Sequence, residues 1–593
     1  MKPPQHVAVT RSDPVYMAHG YLTKVPTAAI TPFIEAHTKP GDLVLDPFAG
    51  SGMTGVAAAM TGRRAILYDV SALGRHIGTN YVRLVEPAAY RDARDRAVQR
   101  VSDRLPGIYS HECSRCGRPA ELSRRVWSVL FECPGCRTAV NYYTALRAAK
   151  SRKPDIECPS CHTQVDVRSR RGEEAVLDTI SCVCSSSLFD QPPSDPQGNR
   201  LEPAGLSWPT TTIGAELQMF QASALGKHGL TSIDKFFGER NLLALAALRG
   251  AILMEPHDEL RSKLLFAFTA ILPRASKRYQ WGPDRPLNAA THNYYIAPIF
   301  YEWNVLDLFT RKVEAIIKSD EYIRTASGGA LFEQPIDVSY EIHSAVALPL
   351  ESSSIDYVFT DPPFGSNIFY SDMNLFQEAW LDVFTDPRDE AVVDRRGSRG
   401  AKRYEDLMTG ALIEAARVLK PTGRLSLVFS NSSGQMWALV QRAIREANLE
   451  LLEDGIAVLD KGQRSVKGLN SGRESVVTSD LILTMKKSNR FSSRQDPAPL
   501  NLEELLKSEL VRDDHLTPSH VYLDVVRRCL RDYVDLSTLS LNKLIGGLKE
   551  AGYQVDSGSG RIVRDATEVG VVSQTETDAV DQLALDVHSG STG

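Results

Sequence analysis

The sequence predicts an α/β protein built on a Rossmann-like, mainly parallel sheet. Leu43–Asp46 is a short apolar run that a glycine-containing turn joins to a helix of small residues, Met53–Met60. Ile355–Thr360 is a second apolar run, and it stops at two consecutive prolines. Short continuous apolar runs of this kind are typical of strands covered on both faces. We therefore expect both runs to lie in one doubly wound sheet, with chemistry at the carboxyl ends of the strands.

The turn after Leu43–Asp46 has the composition of a nucleotide-binding loop. Gly50 and Gly52 allow tight turns and a close approach of the backbone to a ligand at a helix N-terminus. The next strand, Ala65–Asp69, ends in a carboxylate that can hold ribose hydroxyls. The spacing of the glycines differs from the dinucleotide fingerprint, so the loop alone does not identify its ligand.

The second apolar run ends in Asp361-Pro362-Pro363-Phe364. Two prolines cannot continue a β-ladder, so they fix an extended turn. This turn offers the Asp361 carboxylate and the carbonyl of Pro362 as acceptors, beside the ring of Phe364. Acceptors beside a stacking ring suit the exocyclic amino group of a base turned out of its helix. The alternative is a strand that simply ends in a proline-rich turn.

Composition describes an ordinary soluble chain with several domains. It has 593 residues, 42% hydrophobic and 24% charged, with a net charge of −5, and three or four domains are expected at this length. Nothing in the overall charge indicates a polyanion partner. No apolar run approaches the length of a membrane span and the N-terminus has no signal-peptide pattern, so we expect a cytoplasmic protein without a membrane partner.

The cysteines indicate metal binding. Eight of the nine lie between Cys113 and Cys184, which in a long intracellular chain favours metal over disulfides. The sequence order suggests one set from Cys113, Cys116, Cys133 and Cys136, and another from Cys158, Cys161, Cys182 and Cys184. We expect one or two structural zinc ions, because closed sets of four thiolates hold a small module together without catalysis.

Together these motifs resemble the S-adenosylmethionine-dependent amino-methyltransferases of DNA. Asp46 to Gly52, DPFAGSG, is similar to the cofactor loop of that superfamily, and Asp361 to Phe364, DPPF, is similar to its catalytic motif. The longer stretch from Asp361 to Asn374, running into Trp380-Leu381, resembles adenine-specific DNA methylases that contain a zinc ribbon. The resemblance covers roughly residues 19–84 and 338–486.

The resemblance implies S-adenosylmethionine as cofactor and assigns roles to residues. Asp361, Pro362, Pro363 and Phe364 would form the catalytic turn. Ser344, in an expected strand His343–Ala345, stands where many relatives have an aspartate near the adenine of the cofactor. Because an aspartate leads DPPF, adenine N6 is favoured over cytosine N4. The residues implied to bind the cofactor are Lys24, Asp46, Pro47, Phe48, Ala49, Gly50, Ser51, Gly52, Asp69 and Ser344.

About 315 residues separate the two motifs, far more than a continuous sheet needs. We expect a methyltransferase sheet interrupted by a long insertion with zinc ribbons and helices, followed by a small C-terminal α/β or winged-helix-like module. Residues 1–18 are expected to be partly irregular. The expected parts are the cofactor half (1–107), a double zinc ribbon (108–190), a helical insertion for target recognition (191–334), the catalytic half (335–490), the C-terminal module (491–564) and a disordered acidic tail (565–593).

Three local concentrations of positive charge suggest contact with double-stranded DNA. Residues 91–180 carry 17 Lys and Arg against 12 Asp and Glu, an excess of 5 in a net acidic chain. Basic and aromatic residues interleave from Arg274 to Trp281, and a basic loop from Arg395 to Tyr404 follows the DPPF turn. The alternatives are a packed aromatic loop and a solvated charge run. The candidate nucleic-acid residues are Arg274, Lys277, Arg278, Tyr279, Trp281, Arg395, Arg396, Arg399, Lys402 and Arg403.

The sequence therefore predicts a DNA amino-methyltransferase, with a role in restriction-modification or phage defence and possible partner subunits implied by the resemblance. Two alternatives stay open: an RNA amino-methyltransferase acting on tRNA, and a non-catalytic nucleic-acid-binding subunit of a defence complex. Methyl incorporation into duplex DNA or tRNA separates the first two, and cofactor binding tests the third.

Overall fold

The structure is a computed structural model, and it forms two compact units. The first comprises residues 1–429, 439–462 and 480–491, and the second comprises 430–438, 463–479 and 492–593. The described residues are 2–10, 12–149, 156–166, 169–195, 205–222, 225–282, 294–328, 336–365, 368–393, 400–460, 477, 479–488, 497–509, 517–555 and 561–564. The predicted acidic tail, 565–593, lies outside them. Among the described helices, none has the length and apolar content that crossing a bilayer requires.

An eight-stranded mixed sheet, the main sheet, organises the first unit. Its spatial order is β10-β3-β2-β11-β12-β14-β13-β1. The neighbours from β10 to β12 run parallel, while β14 is antiparallel to β12. Its strands are β1 (His6–Ala8), β2 (Leu43–Asp46), β3 (Arg64–Asp69), β10 (Val338–Ile342), β11 (Ile355–Thr360), β12 (Leu419–Phe429), β13 (Leu449–Asp460) and β14 (Ser479–Lys487).

The strand order confirms the predicted Rossmann-like α/β sheet. The chain moves from β2 outward through β3 to β10, and then returns to place β11 on the other side of β2. This reversal creates the crevice at which doubly wound sheets bind ligands. The helices of this part are α1 (Pro14–Ala18), α2 (Thr27–His37), α3 (Met53–Met60), α4 (Ala72–Val82), α5 (Pro87–Arg104), α11 (Tyr370–Leu381), α12 (Ala401–Val418) and α13 (Gly434–Glu446).

Between β3 and β10 the chain forms a second, antiparallel sheet, the ribbon sheet. Its centre is the long strand β5, which pairs with β7 along one edge and with β9 along the other. The helices of the insertion pack beside it, and α8 and α9 also contact α5. The strands are β4 (Ser110–Glu112), β5 (Pro119–Glu132), β6 (Ala139–Asn141), β7 (Arg170–Ser181), β8 (Phe189–Gln191) and β9 (Ile299–Trp303). The helices are α6 (Tyr142–Ala149), α7 (Gln218–Ala222), α8 (Glu239–Leu253), α9 (Asp258–Ala275) and α10 (Val305–Ala326).

The second unit, in the part of 497–564 that the structure describes, contains three helices followed by a short antiparallel hairpin. Apolar side chains of the central helix, including Val521, Val525 and Cys529, are buried. The elements are α14 (Leu502–Glu509), α15 (Pro518–Arg531), α16 (Leu541–Glu550), β15 (Tyr553–Val555) and β16 (Ile562–Arg564).

One local prediction is wrong and another is confirmed. The N-terminal segment is partly irregular, as expected, and it also forms β1, which pairs in parallel with β13, and α1, which Asp13 caps through the backbone N–H of Tyr16. The strand expected at His343–Ala345 is the preceding segment β10, which pairs with β3 from Val338 to Ile342. Ser344 therefore follows the strand, where it can face the crevice.

Candidate active site

A cleft at the carboxyl edge of the main sheet brings the two sequence motifs together. Gly50 of the loop after β2 and Asp361 and Pro363 of the turn after β11 line the same space. Its empty volume, counting the mouth that is open to solvent, is about 940 Å³. The predicted site residues that line it are Lys24, Asp46, Pro47, Phe48, Ala49, Gly50, Ser51, Asp69, Ser344, Asp361 and Pro363.

Asp46 links the cofactor loop to the catalytic strand. Its carboxylate accepts hydrogen bonds from the hydroxyls of Thr54 (2.6 Å) and Thr360 (2.8 Å) and from the backbone N–H of Phe48 (3.1 Å). Burial raises the pKa of Asp46 to about 7, against the opposing effect of these hydrogen bonds. Because Thr360 directly precedes Asp361, Asp46 fixes the position of one motif relative to the other.

Asp69 and Gly50 form the next part of the cleft. The carboxylate of Asp69 accepts hydrogen bonds from the backbone N–H groups of Gly50 (2.8 Å) and Ser71 (2.9 Å), and burial raises its pKa. The hydroxyl of Tyr340 donates to the carbonyl of Gly50 at 2.7 Å. Gly50 has φ +48°, and a Cβ there would lie 3.2 Å from the ring of Tyr21. The loop is thus held open by contacts from β3, β10 and the N-terminal segment.

Gly52 has a packing role that the sequence did not indicate. It has φ +77°, and a Cβ there would lie 2.6 Å from the Cα of Gly78 in α4. It begins α3 and faces α4, and it does not line the cleft. Its structural contribution is the close approach of the loop to α4.

Lys24 lines the cleft but directs its ammonium group inside the protein. Nζ donates to the carbonyls of Tyr16 (2.6 Å) and His19 (2.9 Å) and to the hydroxyl of Tyr81 (3.2 Å). Burial lowers its pKa to about 7. Lys24 therefore anchors the N-terminal segment, whose residues Tyr21 and Thr23 form part of the cleft wall.

The turn from Asp361 to Phe364 is held from two sides. The hydroxyl of Tyr404, on α12, donates to the carbonyl of Pro363 at 2.6 Å. Phe364 packs edge-on against Phe429 at 5.2 Å between ring centroids, and neither Phe364 nor the buried Pro362 lines the cleft. Asp361 does line it. The structure therefore brings the Asp361 carboxylate and the Pro363 backbone to the loop of Gly50.

Acidic side chains dominate the charge of the cleft. Asp389 and Glu390, which follow α11, line it together with the predicted Asp46, Asp69 and Asp361. Glu390 accepts hydrogen bonds from the backbone N–H (3.0 Å) and the hydroxyl (2.6 Å) of Ser371. The positive charge at Lys24 is directed elsewhere. The cleft consequently favours a ligand that carries positive charge.

Sequence reasoning missed several residues that shape this site. Tyr340, Thr360 and Tyr404 act through hydrogen bonds to the two motifs. Tyr370 lines the cleft and hydrogen-bonds Thr23 at 3.0 Å, and burial raises its pKa. A tyrosine or threonine in an apolar strand or helix carries no distinctive sequence signal, but Thr360 could have been noted as the residue between strand and turn.

Eight cysteines form two clusters of four on the ribbon sheet. In each cluster all four sulfur atoms lie within 4.8 Å of one another, and the shortest separations are 3.4 to 3.6 Å. Four thiolates around a tetrahedral zinc stand about 3.8 Å apart. Each cluster therefore has the ligands and the spacing that a zinc ion requires.

The cysteine grouping predicted from sequence order is wrong. One cluster contains Cys113, Cys116, Cys182 and Cys184, and the other contains Cys133, Cys136, Cys158 and Cys161. The cause is the antiparallel pairing of β5 with β7, in which Glu121 faces Ser181 and Phe131 faces Arg170. The pair Cys113 and Cys116 thereby meets the pair Cys182 and Cys184 at one end of the ribbon. β5 has 14 residues, so it separates the clusters by about 45 Å.

The predicted basic and aromatic stretch is mostly packed. Arg278 is 4% exposed and lies over the rings of Tyr294 (5.1 Å) and Phe376 (4.7 Å), and Tyr279 is 7% exposed. Burial lowers the pKa of Arg278 to about 10. Both were predicted to contact nucleic acid, and their burial in the core contradicts this. Their apolar partners come from distant segments, which the sequence order does not reveal.

The other candidate nucleic-acid residues differ in exposure. Arg274 is exposed, Lys277 pairs with Glu173 at 2.8 Å, and half-buried Trp281 packs against Tyr143. Lys402 is exposed and pairs with Asp406 at 2.9 Å, and Arg403 is 3.4 Å from Asp389. Arg395, Arg396 and Arg399 lie outside the described residues.

Comparison with known proteins finds similarity to DNA methylases in the N-terminal segment. A sequence model of the family described as "DNA methylase" matches residues 6–75, which include the cofactor loop and Asp69. The chain is 39% identical over 71 residues to YubD of Escherichia coli K12, described as a methylase, with 12% of this chain and 31% of YubD covered. It is 42% identical over 53 residues to the DNA adenine methyltransferase YhdJ of the same organism, with 9% of this chain and 18% of YhdJ covered.

Solved structures are also similar in part. TrmN from Thermus thermophilus is 17% identical and covers 29% of this chain and 34% of its own length, with a TM-score of 0.15. The chain thus spans about a third of the length of YubD and of TrmN, and less than a fifth of the length of YhdJ. The matched residues include β2 and β3 of the main sheet and the glycine loop between β2 and α3. Residues 6–75 of this chain are thus similar to the family described as DNA methylase.

Proposed function

We propose that this chain is an S-adenosylmethionine-dependent DNA methyltransferase acting on the exocyclic amino group of a base turned out of the duplex, with adenine N6 as the target. One observation carries the proposal: the glycine loop after β2 and the Asp361 turn after β11 line a single cleft, although about 315 residues separate them. A donor in the loop and an acceptor base at the turn would share that space.

The residues of the cleft fit the cofactor. Gly50 leaves room at the loop, and Asp69 and Glu390 offer acceptors at the same wall. The cofactor, when bound, supplies a methyl group on a positively charged sulfur. A sulfonium and an ammonium in one molecule suit a cleft lined by five carboxyl groups, of which Asp46, Asp69 and Glu390 also accept hydrogen bonds within the protein.

The chain's own contribution to the reaction is positioning. The amino nitrogen must lie in line with the methyl group at about 3 Å. As the new N–C bond forms, the bond from the methyl group to sulfur breaks, and the nitrogen releases one proton, which passes to solvent. Asp361 accepts a hydrogen bond from this amino group, orients its lone pair and stabilises the positive charge that develops on the nitrogen. Tyr404 and Thr360 hold the turn so that Asp361 needs little reorganisation.

The cysteine clusters would hold two structural zinc ions. Each offers four thiols, so neither leaves an open position for a substrate, and both lie at the ends of the ribbon sheet. Zinc there would stabilise the sheet and take no part in methyl transfer.

The choice of DNA and adenine rests on the DNA methylase segment, the aspartate that leads DPPF, and the similarity to a protein named as a DNA adenine methyltransferase. A setting in restriction-modification or phage defence, with partner subunits, belongs to the same proposal.

Methyl transfer from labelled cofactor tests it. Purified chain is incubated with duplex DNA or tRNA, and the modified nucleosides are identified by mass spectrometry. We expect N6-methyladenine in DNA. Methylation confined to tRNA would indicate the RNA enzyme, N4-methylcytosine would correct the base, and failure to bind the cofactor in calorimetry would indicate a non-catalytic subunit.

A further inference from the structure

Three arginines from separate elements lie over one group of aromatic rings at the edge of the ribbon sheet. The rings belong to Tyr279, Tyr301 and Trp303, with centroids 5.6 to 6.3 Å apart. All three rings are at most 9% exposed. We call these rings and the arginines Arg124, Arg274 and Arg311 the arginine platform.

Each guanidinium lies over a ring. The Cζ of Arg124 is 5.1 Å from the Trp303 centroid and 5.6 Å from that of Tyr301. The Cζ of Arg311 is 5.4 Å from Trp303, and that of Arg274 is 5.2 Å from Tyr279. A guanidinium over a ring retains its in-plane N–H donors for a ligand. The stacking also restricts the side chain before binding, which lowers the entropy cost of an ionic contact.

The strand register explains why the arginines gather. Arg124 on β5 faces Trp303 on β9 directly, and Tyr279 lies beside Tyr301, whose N–H donates to the Tyr279 carbonyl at 2.9 Å. On the other side, Nε of Arg124 donates to Thr179 on β7 at 3.1 Å, and Thr179 donates to Asp190 at 2.6 Å. Thr179 fixes one edge of Arg124 and leaves its terminal nitrogens for another partner.

Charge identifies the partner. Within the described part of the chain, no carboxylate pairs with Arg124 or Arg274, whereas Arg311 pairs with Asp307 at 3.1 Å. Arg274 and Arg311 are exposed, and Arg124 is half-buried. The whole chain has a net charge of −5, so a polyanion must bind where cations are concentrated. Lys312, which follows Arg311 on α10, donates to the carbonyls of Met17 (3.2 Å) and Ala18 (3.0 Å) in the N-terminal segment that continues into the cleft wall.

We propose that the arginine platform binds the phosphate backbone of duplex DNA whose target base enters the cleft. This inference rests on the proposed function and adds to it a backbone-binding surface. Arg124 and Arg274 make the main contacts, and Arg311 contributes less because Asp307 shares its charge. Phosphate contacts of this kind set orientation on the duplex and do not read sequence.

Fluorescence anisotropy with a labelled duplex of mixed sequence, measured across a salt series, tests the proposal. The double variant Arg124→Gln/Arg274→Gln is expected to raise the Kd roughly tenfold at low salt. The slope of log K against log salt should fall by about 2, one for each lost phosphate contact. Methylation should show a raised KM for DNA and an unchanged kcat, and cofactor affinity in calorimetry should match wild type.

Two further variants make the test specific. Arg64→Gln removes an exposed arginine that pairs with Asp337 at the amino end of β3, on the opposite edge of the main sheet from the cleft, and should leave the salt slope unchanged. Arg124→Lys keeps the charge but loses the planar guanidinium that stacks on the ring. The slope of log K against log salt should therefore stay at the wild-type value while the affinity for duplex DNA falls.

Some results would overturn the proposal. Wild-type affinity and slope in the double variant would do so, as would a wild-type chain that does not bind duplex DNA, or a loss confined to tRNA binding. A failure of the proposed function looks different. In that case the double variant still weakens duplex binding, but wild type transfers no methyl group.

Discussion

The main sheet and the ribbon sheet place their functional residues by opposite rules. In the main sheet, parallel strands bring the ends of β2, β3, β10 and β11 to one edge, so motifs far apart in the chain meet in one cleft. In the ribbon sheet, antiparallel pairing of β5 with β7 brings the first cysteine pair to the last at one end and the two middle pairs together at the other end. In a parallel sheet, residues that follow different strands can therefore be predicted to lie close together from the sequence alone. In an antiparallel ribbon, the same prediction requires knowledge of which strands pair.

The two regions also differ in what stabilises them. The cleft is held by hydrogen bonds from Asp46 and Asp69 and by close glycine contacts. The ends of the ribbon present cysteine clusters in which half of the side chains are exposed. Metal ligation there would offset the small amount of apolar burial available at such ends.

Paired cysteine substitutions give the largest expected effect. They test directly which cysteines share a cluster on the ribbon sheet. Cys113→Ser/Cys133→Ser breaks one ligand in each observed cluster, so zinc content should fall from two ions per chain to none. Cys113→Ser/Cys182→Ser damages one cluster twice and should leave one ion. Inductively coupled plasma mass spectrometry of the purified variants measures both.

The sequence-order grouping makes the reverse prediction, one ion in the first variant and none in the second, and that result would contradict the observed clusters. Cys529→Ser is the matched control. Cys529 is buried on α15 and belongs to neither cluster, so its substitution should leave two ions.

On the main sheet, Gly52→Ala should be the most disruptive small change. The new Cβ would meet the backbone of Gly78 at 2.6 Å in a left-handed conformation. We expect a loss of about 3 kcal/mol in the free energy of unfolding, measured by chemical denaturation. Gly62→Ala is the control, because Gly62 has φ +71° but its nearest neighbour would be 3.9 Å away. Equal losses in both variants would show that the contact with α4 is unimportant.

Asp46 provides a smaller, pH-dependent test. Its pKa in the folded protein is about 7 and its ordinary value is 3.8. Between these values the folded state binds more protons than the unfolded state, so the contribution of Asp46 to stability decreases as pH rises from about 4 to about 7. Asp46→Asn should remove this decrease. The free energy of unfolding of the variant, relative to that of wild type, should therefore rise between about pH 4 and about pH 7.

Chemical denaturation at several pH values, with Glu35→Gln as an exposed control on α2, measures this effect. Parallel pH profiles for Asp46→Asn and wild type would mean that the carboxyl group titrates near its ordinary value.

Local signals predicted the core of the fold well. β2, α3 and β11 have the predicted boundaries, because their apolar runs are short and end at glycines or prolines. The meeting of Gly50 with Asp361 followed from the rule that parallel strands share a carboxyl edge. The roles of these residues in catalysis and cofactor binding remain predictions.

The errors concern contacts between distant segments. The cysteine grouping depends on the β5 and β7 register, and the burial of Arg278 depends on Tyr294 and Phe376. The packing of Gly52 against Gly78, the hydrogen bond from Thr360 to Asp46 and the hydroxyl of Tyr404 likewise involve partners that no local pattern specifies.

The most direct test of the central claim, that Asp361 holds the target amino group in the cleft of the cofactor loop, is the single-turnover rate of methyl transfer to duplex DNA by Asp361→Ala at saturating cofactor. Glu351→Gln, an exposed acid just before β11, is the control and should match wild type. We expect transfer by Asp361→Ala to fall below detection while cofactor affinity in calorimetry is retained. A near-normal rate would contradict the claim.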